Sequence, residues 1–215
     1  GFFDPFNAQS CKRIDDDLKQ FLTSYKNRPE LIGYYIQNEP DFSFIPLSIP
    51  KLDANYPAKH KLVEMLREKY KNVQAFNKAW ELDAKDFNDI LKPICPITTA
   101  AGEDMNQFYE IFLDAYYKFV RDTIKKYDAN HLLLGSRCRA RDGRTDLINR
   151  ISGKYMDVIS VNYYCYYFDK TFLIRAHQIS GKPYILSEWC YDTREQGLME
   201  TLRSVENQTQ RGDAY

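Results

Sequence analysis

The stretch 31-LIGYYIQNEP-40 decides how the chain is read. Its apolar start has the length and composition of a short strand buried on both faces. It ends on Asn38, Glu39 and Pro40. An amide and an acid are costly inside a core, but strand tips are where a barrel enzyme keeps its chemistry. A second stretch, 182-KPYILSEWCY-191, has the same form and ends its apolar run in Glu188.

Between these two lie further runs of the same kind. HLLLGS at 131–136 and MDVISVNYY at 156–164 read as buried strands, and PYILSEW at 183–189 contains the last one. Amphipathic stretches separate them. SCKRIDDDLKQFLTSYKN precedes the first strand, with Ile14, Leu18, Phe21, Leu22 and Tyr25 on one predicted face. EDMNQFYEIFLDAYYKFVRDTIKKY precedes the second, with Phe108, Ile111, Phe112, Ala115 and Phe119 at helical spacing. GRTDLINRISGKY and KTFLIRAHQISGK precede the third and fourth, and Gly153 and Gly181 stand where helix C-caps are expected. The segment from Thr193 onward reads as a loop followed by a helix.

Strands alternating with helices imply a parallel sheet with crossover connections. A doubly wound sheet and a (β/α)8 TIM barrel both fit that pattern. No glycine-rich nucleotide fingerprint follows any strand. Polar residues instead gather at the strand ends: Asn38 and Glu39, Arg137 and Arg139, Asn162 and Tyr164, and Glu188. That distribution favours the barrel. Only four strands are counted, so residues 1–215 read as an incomplete segment of one catalytic barrel. The excursion at about 40–102 is too long for a simple connection and is expected to wall a cleft over the barrel mouth. Trp80, within it, reads as an apolar anchor in preference to a sugar platform.

Bulk composition narrows the partners. Acids and bases balance at 30 each, which gives no reason to expect nucleic acid or a membrane surface. No apolar run approaches a membrane span. The five cysteines form no CxxC pair, and His60, His131 and His177 read as surface or packing residues, so no metal or other cofactor is expected. The 17 tyrosines suit both a Tyr-rich core and contact with sugar rings.

Glycoside hydrolysis needs one carboxyl to protonate the leaving oxygen and a second to attack or to activate water. Glu39 and Glu188, at two strand ends, can supply both. Asn38 can hydrogen-bond a sugar hydroxyl beside the scissile bond. Tyr164 or Tyr163 can donate to Glu188 and favour its carboxylate form. Trp189 can floor a sugar. Arg137 either lines the site or serves as a salt-bridge partner of a loop carboxylate.

With these residues in view, the chain resembles the retaining glycoside hydrolases of clan A. IQNEP and ILSEW are similar to their acid/base and nucleophile strands, the fourth and seventh of the barrel, and here lie about 150 residues apart. FNKAW is similar to a segment of family 42 β-galactosidases and their agarase relatives. HLLLGSRCRA, DVISVNYYCY and SEWCYDTREQGL with ENQTQRGDAY resemble family 50 β-agarases. The agarase pattern has Phe where this chain has Trp189, and differs around Cys190. The resemblance implies Glu39 as acid/base, Glu188 as nucleophile and Asn38 on the sugar 2-hydroxyl, with Arg137, Asn162 and Tyr164 lining the site. It implies retention, a β-linked galactose-containing carbohydrate as substrate, no metal, and a secreted or periplasmic enzyme whose signal is not visible in this segment. It also places three strands before Gly1 and one after Tyr215, so the remainder of the barrel is expected from flanking sequence or another chain. The rival readings are a barrel that binds carbohydrate without cleaving it, an inactive fragment, and an interaction module without paired acids.

Overall fold

The structure, a computed structural model, describes residues 3–140, 143–193, 195 and 203–214. It divides into two compact units, one of Gly1–Leu31 with Asp41–Asn130, the other of Ile32–Pro40 with His131–Tyr215.

Among the described residues of the first unit every regular element is a helix. Its elements are α1 (Ala8–Thr23), α2 (Phe44–Ser48), α3 (Pro57–Tyr70), α4 (Val73–Trp80) and α5 (Thr99–Tyr127), with short 3-10 turns at Ile49–Lys51 and Asp89–Leu91. Side-chain caps start three of them: Asn7 accepts from Ser10 N at 3.0 Å, Asn72 from Ala75 N at 2.8 Å, and Thr98 from Ala101 N at 3.1 Å. Each supplies an acceptor for an otherwise orphan N–H of a first turn. The core stripe of α5 is Met105, Phe108, Phe112, Leu113, Tyr116, Tyr117, Val120 and Ile124, all buried. Of the face predicted for this helix, Phe108 and Phe112 are buried, while Ile111, Ala115 and Phe119 are only partly so. The helix is apolar on more than one side, and its tyrosines take core positions that spacing alone left open. On α1 the predicted face is likewise corrected: Leu22 is buried, but Phe21 and Tyr25 stack on each other at 4.7 Å in largely exposed positions.

Trp80 is an anchor, 1% exposed. Its indole donates to Asp104 at 2.7 Å, the Tyr70 hydroxyl donates to the same oxygen at 2.7 Å, and Lys69 pairs with the other. Asp104 is wholly buried, and a buried carboxylate persists only with such partners.

The second unit carries the strands. They are β1 (Gly33–Tyr34), β2 (Leu132–Leu133), β3 (Cys138–Arg139), β4 (Ile159–Asn162) and β5 (Tyr184–Glu188). β1 pairs in parallel with β2, and β3, β4 and β5 form a parallel sheet in that order. β2 and β3 are two halves of one strand path, interrupted where Gly135 and Arg137 adopt φ of +81° and +45°. Beyond the regular pairing, Ile36 N still donates to Gly135 O at 2.9 Å and Glu39 N to Arg137 O at 3.2 Å. Helix α6 (Thr145–Ser152) connects β3 to β4, and α7 (Lys170–Ser180) connects β4 to β5. These are consecutive βα units of a (β/α)8 barrel, parallel and neighbouring in chain order.

Buried Val161, Tyr163, Ala140 and Cys165 form an apolar cluster, against which Phe172, Tyr184 and Leu186 pack. β4 is buried at every position, as expected, whereas every residue of β5 stays partly exposed. Among the described residues β5 pairs on one edge only, with β4. Both predicted C-cap glycines end their helices, for different reasons. Gly181 takes a left-handed φ of 67°. Gly153 has an ordinary φ of −56°, but a Cβ there would lie 2.5 Å from the Ser180 carbonyl oxygen. Downstream, β6 (Asp192–Thr193) pairs in parallel with β7 (Ser204–Val205), a pairing absent from the expected loop, and α8 (Gln208–Ala214) follows. Among the described residues no helix is long and apolar enough to cross a membrane.

Candidate active site

The site is built within the second unit, from the ends of its parallel strands. Glu39 follows β1 with φ of 46°, and Arg137, on the neighbouring strand path, has φ of 45°. A left-handed backbone costs a non-glycine residue roughly 1–2 kcal/mol, and such residues concentrate at functional sites. The two are tied by the Glu39 N–H donated to the Arg137 carbonyl.

Glu188 reaches the site through an irregular register. Ile159, Ser160 and Val161 pair with Tyr184, Ile185 and Leu186, but Asn162 pairs with Glu188, so Ser187 is the extra residue of a β-bulge. Tyr184 and Leu186 pack against the apolar cluster. Strict alternation would send Glu188 to that same side. The bulge returns it to the side of Asn162 and Ser187.

Asn162 joins the two acids. It is 3% exposed, and its Nδ2 donates to Glu39 Oε1 at 3.1 Å and to Glu188 Oε2 at 2.8 Å, with a longer contact of 3.5 Å to Asn38 Oδ1. Ser187 Oγ donates to Asn162 Oδ1 at 2.9 Å, which turns the NH2 edge of the amide toward the carboxylates. Because one nitrogen reaches both, the two carboxylate oxygens are at most about 6 Å apart. Retaining glycosidases place their carboxyl groups about 5–5.5 Å apart, and inverting ones about 6.5–9.5 Å apart.

Glu188 has two more donors. Arg137 Nη2 pairs with its Oε2 at 2.5 Å, and the Tyr164 hydroxyl donates to its Oε1. Arg137 is held in turn by the face of Tyr35, 5.6 Å from the ring centroid. Burial, then the hydrogen bond to Glu188 and nearby negative charge, push the Tyr164 phenol well above its ordinary pKa, so it remains a donor. Tyr163 turns the other way, into the cluster with Phe168 and Phe172 at 5.7 and 5.3 Å. Of the two readings for Arg137, its carboxylate partner proves to be Glu188 itself.

Glu39 is faced by Arg139, whose Nε donates to its Oε2 at 2.9 Å. Burial alone would raise the Glu39 pKa, but hydrogen bonds from Arg139 and Asn162 and the charges of Arg139 and Arg137 outweigh it, and the net shift is downward. Trp189 follows directly and is 43% exposed. The structure thus brings Asn38, Glu39, Arg137, Asn162, Tyr164 and Glu188 together, with Trp189 next in sequence. Sequence reasoning placed Arg139 among the strand-end polar residues without giving it a role, and did not single out Ser187. For Arg139 a signal existed: two residues beyond Arg137, it shares a strand face by period-two alternation.

The sequence profile of glycoside hydrolase family 42, described as β-galactosidase, matches residues 4–205. The chain belongs to this family. It is also 25% identical over 232 aligned positions to β-agarase B of Vibrio sp. (strain JT0107), a match covering 99% of this chain and 24% of that protein. Among solved structures, an exo-β-agarase superposes with a TM-score of 0.87 at 25% identity, over 99% of this chain and 30% of the other. The β-galactosidase from Bacillus circulans sp. alkalophilus superposes with a TM-score of 0.58 at 18% identity, over 88% of this chain and 29% of the other, which is a likeness of fold. The chain therefore spans about a quarter of the length of the agarase it matches in sequence.

Proposed function

We propose that the enzyme to which this chain belongs is a retaining glycoside hydrolase that cleaves a β-linked galactose-containing poly- or oligosaccharide. The observation that carries the reading is the Asn162 amide, whose single nitrogen touches both Glu39 and Glu188. Family membership and the agarase and β-galactosidase likenesses support the reaction and the sugar class.

In this reading Glu188 attacks the anomeric carbon as Glu39 passes a proton to the departing glycosidic oxygen. Glu39 then takes a proton from the water that displaces Glu188, so configuration is retained after two inversions. Asn38 contacts the sugar hydroxyl next to the reacting carbon, and Asn162 lines the site between the two carboxylates. Arg137 and Tyr164 orient the nucleophile, and Trp189 offers an apolar face to the ring. No step in this sequence calls on a metal. The whole of residues 1–215 is read as one segment of the catalytic barrel with an insertion at 40–102, the remaining βα units coming from flanking sequence or another chain. A polymeric substrate places the enzyme outside the cell or in the periplasm.

Azide rescue in the complete enzyme tests the roles. Glu188→Ala should abolish turnover, and added azide should give the α-glycosyl azide from a substrate with a good leaving group. Glu39→Ala should still form the glycosyl-enzyme from a dinitrophenyl glycoside, accumulate it, and yield the β-glycosyl azide. Near-normal activity in both variants would mean that Glu39 and Glu188 are not the catalytic carboxylates.

A further inference from the structure

We infer that Arg139 is a positioning residue for the acid step, which holds Glu39 Oε2 in the unliganded enzyme and must leave that oxygen before Glu39 can protonate the glycosidic oxygen. The inference rests on the acid/base role proposed for Glu39.

The two oxygens of Glu39 have different partners. Oε1 accepts from Asn162, a buried neutral amide that also serves Glu188. That bond favours the charged form but survives protonation, because the carbonyl oxygen of a protonated carboxyl still accepts. Oε2 accepts from the guanidinium of Arg139. A guanidinium offers no acceptor to a carboxyl O–H, and its charge favours the ionised form, so it opposes a proton on the oxygen it faces. With Oε1 fixed as an acceptor by Asn162, Oε2 is the oxygen left to carry the proton, and the Arg139 contact disfavours that acid form.

Exposure is also divided. Asn162 is locked by Ser187 and by burial, whereas the side chain of Arg139 is 65% exposed. The remaining groups that face Glu39 are Arg137, Tyr164 and Glu188. Of these, Arg137 and Tyr164 are already engaged with Glu188. Arg139 is thus the cation whose withdrawal changes the state of Glu39 without dismantling the nucleophile. A leaving-group sugar entering beside Glu39 would displace it into solvent. Glu39, protonated from solvent, then delivers that proton to the glycosidic oxygen as the C–O bond breaks, and recovers one from the attacking water.

The test is the pH dependence of kcat/KM in the full-length enzyme, with phenyl β-galactoside and 2,4-dinitrophenyl β-galactoside as probes. The phenyl substrate needs the acid, and the dinitrophenyl substrate does not. In Arg139→Met the alkaline limb for the phenyl substrate should move to higher pH. The fraction of maximal kcat/KM kept about two pH units above the optimum should rise roughly threefold. The dinitrophenyl limb should stay in place, and Arg139→Lys should fall between wild type and Arg139→Met. Arg139→Gln carries the same test if Arg139→Met does not fold by circular dichroism. Glu39→Gln, run in parallel, should lose about a hundredfold on the phenyl substrate. An inactive Glu39→Gln beside unmoved Arg139 profiles overturns the Arg139 inference and leaves the hydrolase reading standing. Phenyl and dinitrophenyl limbs that move together would show a general structural effect, and also overturn it. A fully active Glu39→Gln sinks the acid/base assignment and this inference with it.

Discussion

Glu39 shows how a residue's neighbours separate its effect on stability from the acid/base role proposed for it. Its carboxyl titrates below the ordinary value of 4.5, because donated hydrogen bonds and two guanidinium charges outweigh burial. The folded protein therefore binds this proton less readily than the unfolded chain. The resulting stabilisation is complete above the ordinary value and is lost as pH falls through the lowered one. Glu39→Gln has no such proton to bind. Its melting temperature should fall less steeply than that of wild type as pH drops from about 5 to about 3. Equal slopes in thermal scans would mean that the Arg139 and Asn162 contacts do not favour the charged form. In the acid/base role proposed for Glu39 the same contacts act in the opposite sense, since that step needs the proton that they disfavour.

Elements in the second unit meet through glycines whose importance differs in kind. At Gly181 the cost of a side chain is conformational: φ is left-handed and nothing lies within 4 Å of a built Cβ. At Gly153 the cost is steric, because a Cβ would press on the Ser180 backbone at the end of α7. Gly181→Ala should destabilise by about 1 kcal/mol. Gly153→Ala should cost more, about 2–3 kcal/mol, because α6 and the end of α7 must separate to admit it. Urea unfolding of the two variants would check the order, and a larger loss at Gly181 would contradict it. The bulge at Ser187 is the third device at this scale. It changes no strand's identity, yet it alone decides which side Glu188 faces.

At the scale of the molecule, the two units are stabilised by different means. The second rests on parallel strands, with its polar residues at their ends. The first wraps an aromatic helical core around the buried carboxylate of Asp104, and burial, with the hydrogen bond and charge of Asp104, pushes the Tyr70 phenol to about 12. Asp104→Ala would leave the Trp80 indole and the Tyr70 hydroxyl without their acceptor. It should lower stability by about 3–5 kcal/mol in denaturant unfolding, within the range for breaking a buried charged network. Lys69→Met should cost far less, because the Lys69 side chain is 41% exposed and Tyr70 and Trp80 still satisfy the carboxylate. Comparable losses in the two variants would show that the ion pair dominates, contrary to the arrangement of the hub.

The order of strands and helices could be read from the sequence because it follows from local periodicity, which needs no knowledge of partners. So could the two helix-ending glycines and the placing of an amide and two acids at strand tips. Neighbours decided the rest. Period two would turn Glu188 toward the apolar cluster, and only the pairing with β4 creates the bulge that turns it back. The choice of Tyr164 over Tyr163, the pairing of Arg137 with Glu188 and of Arg139 with Glu39, and the true core stripes of α1 and α5 have the same origin. Each depends on which groups from distant parts of the chain arrive within a few ångströms. Local sequence determines what a residue can do, and long-range contact determines which partner it does it with.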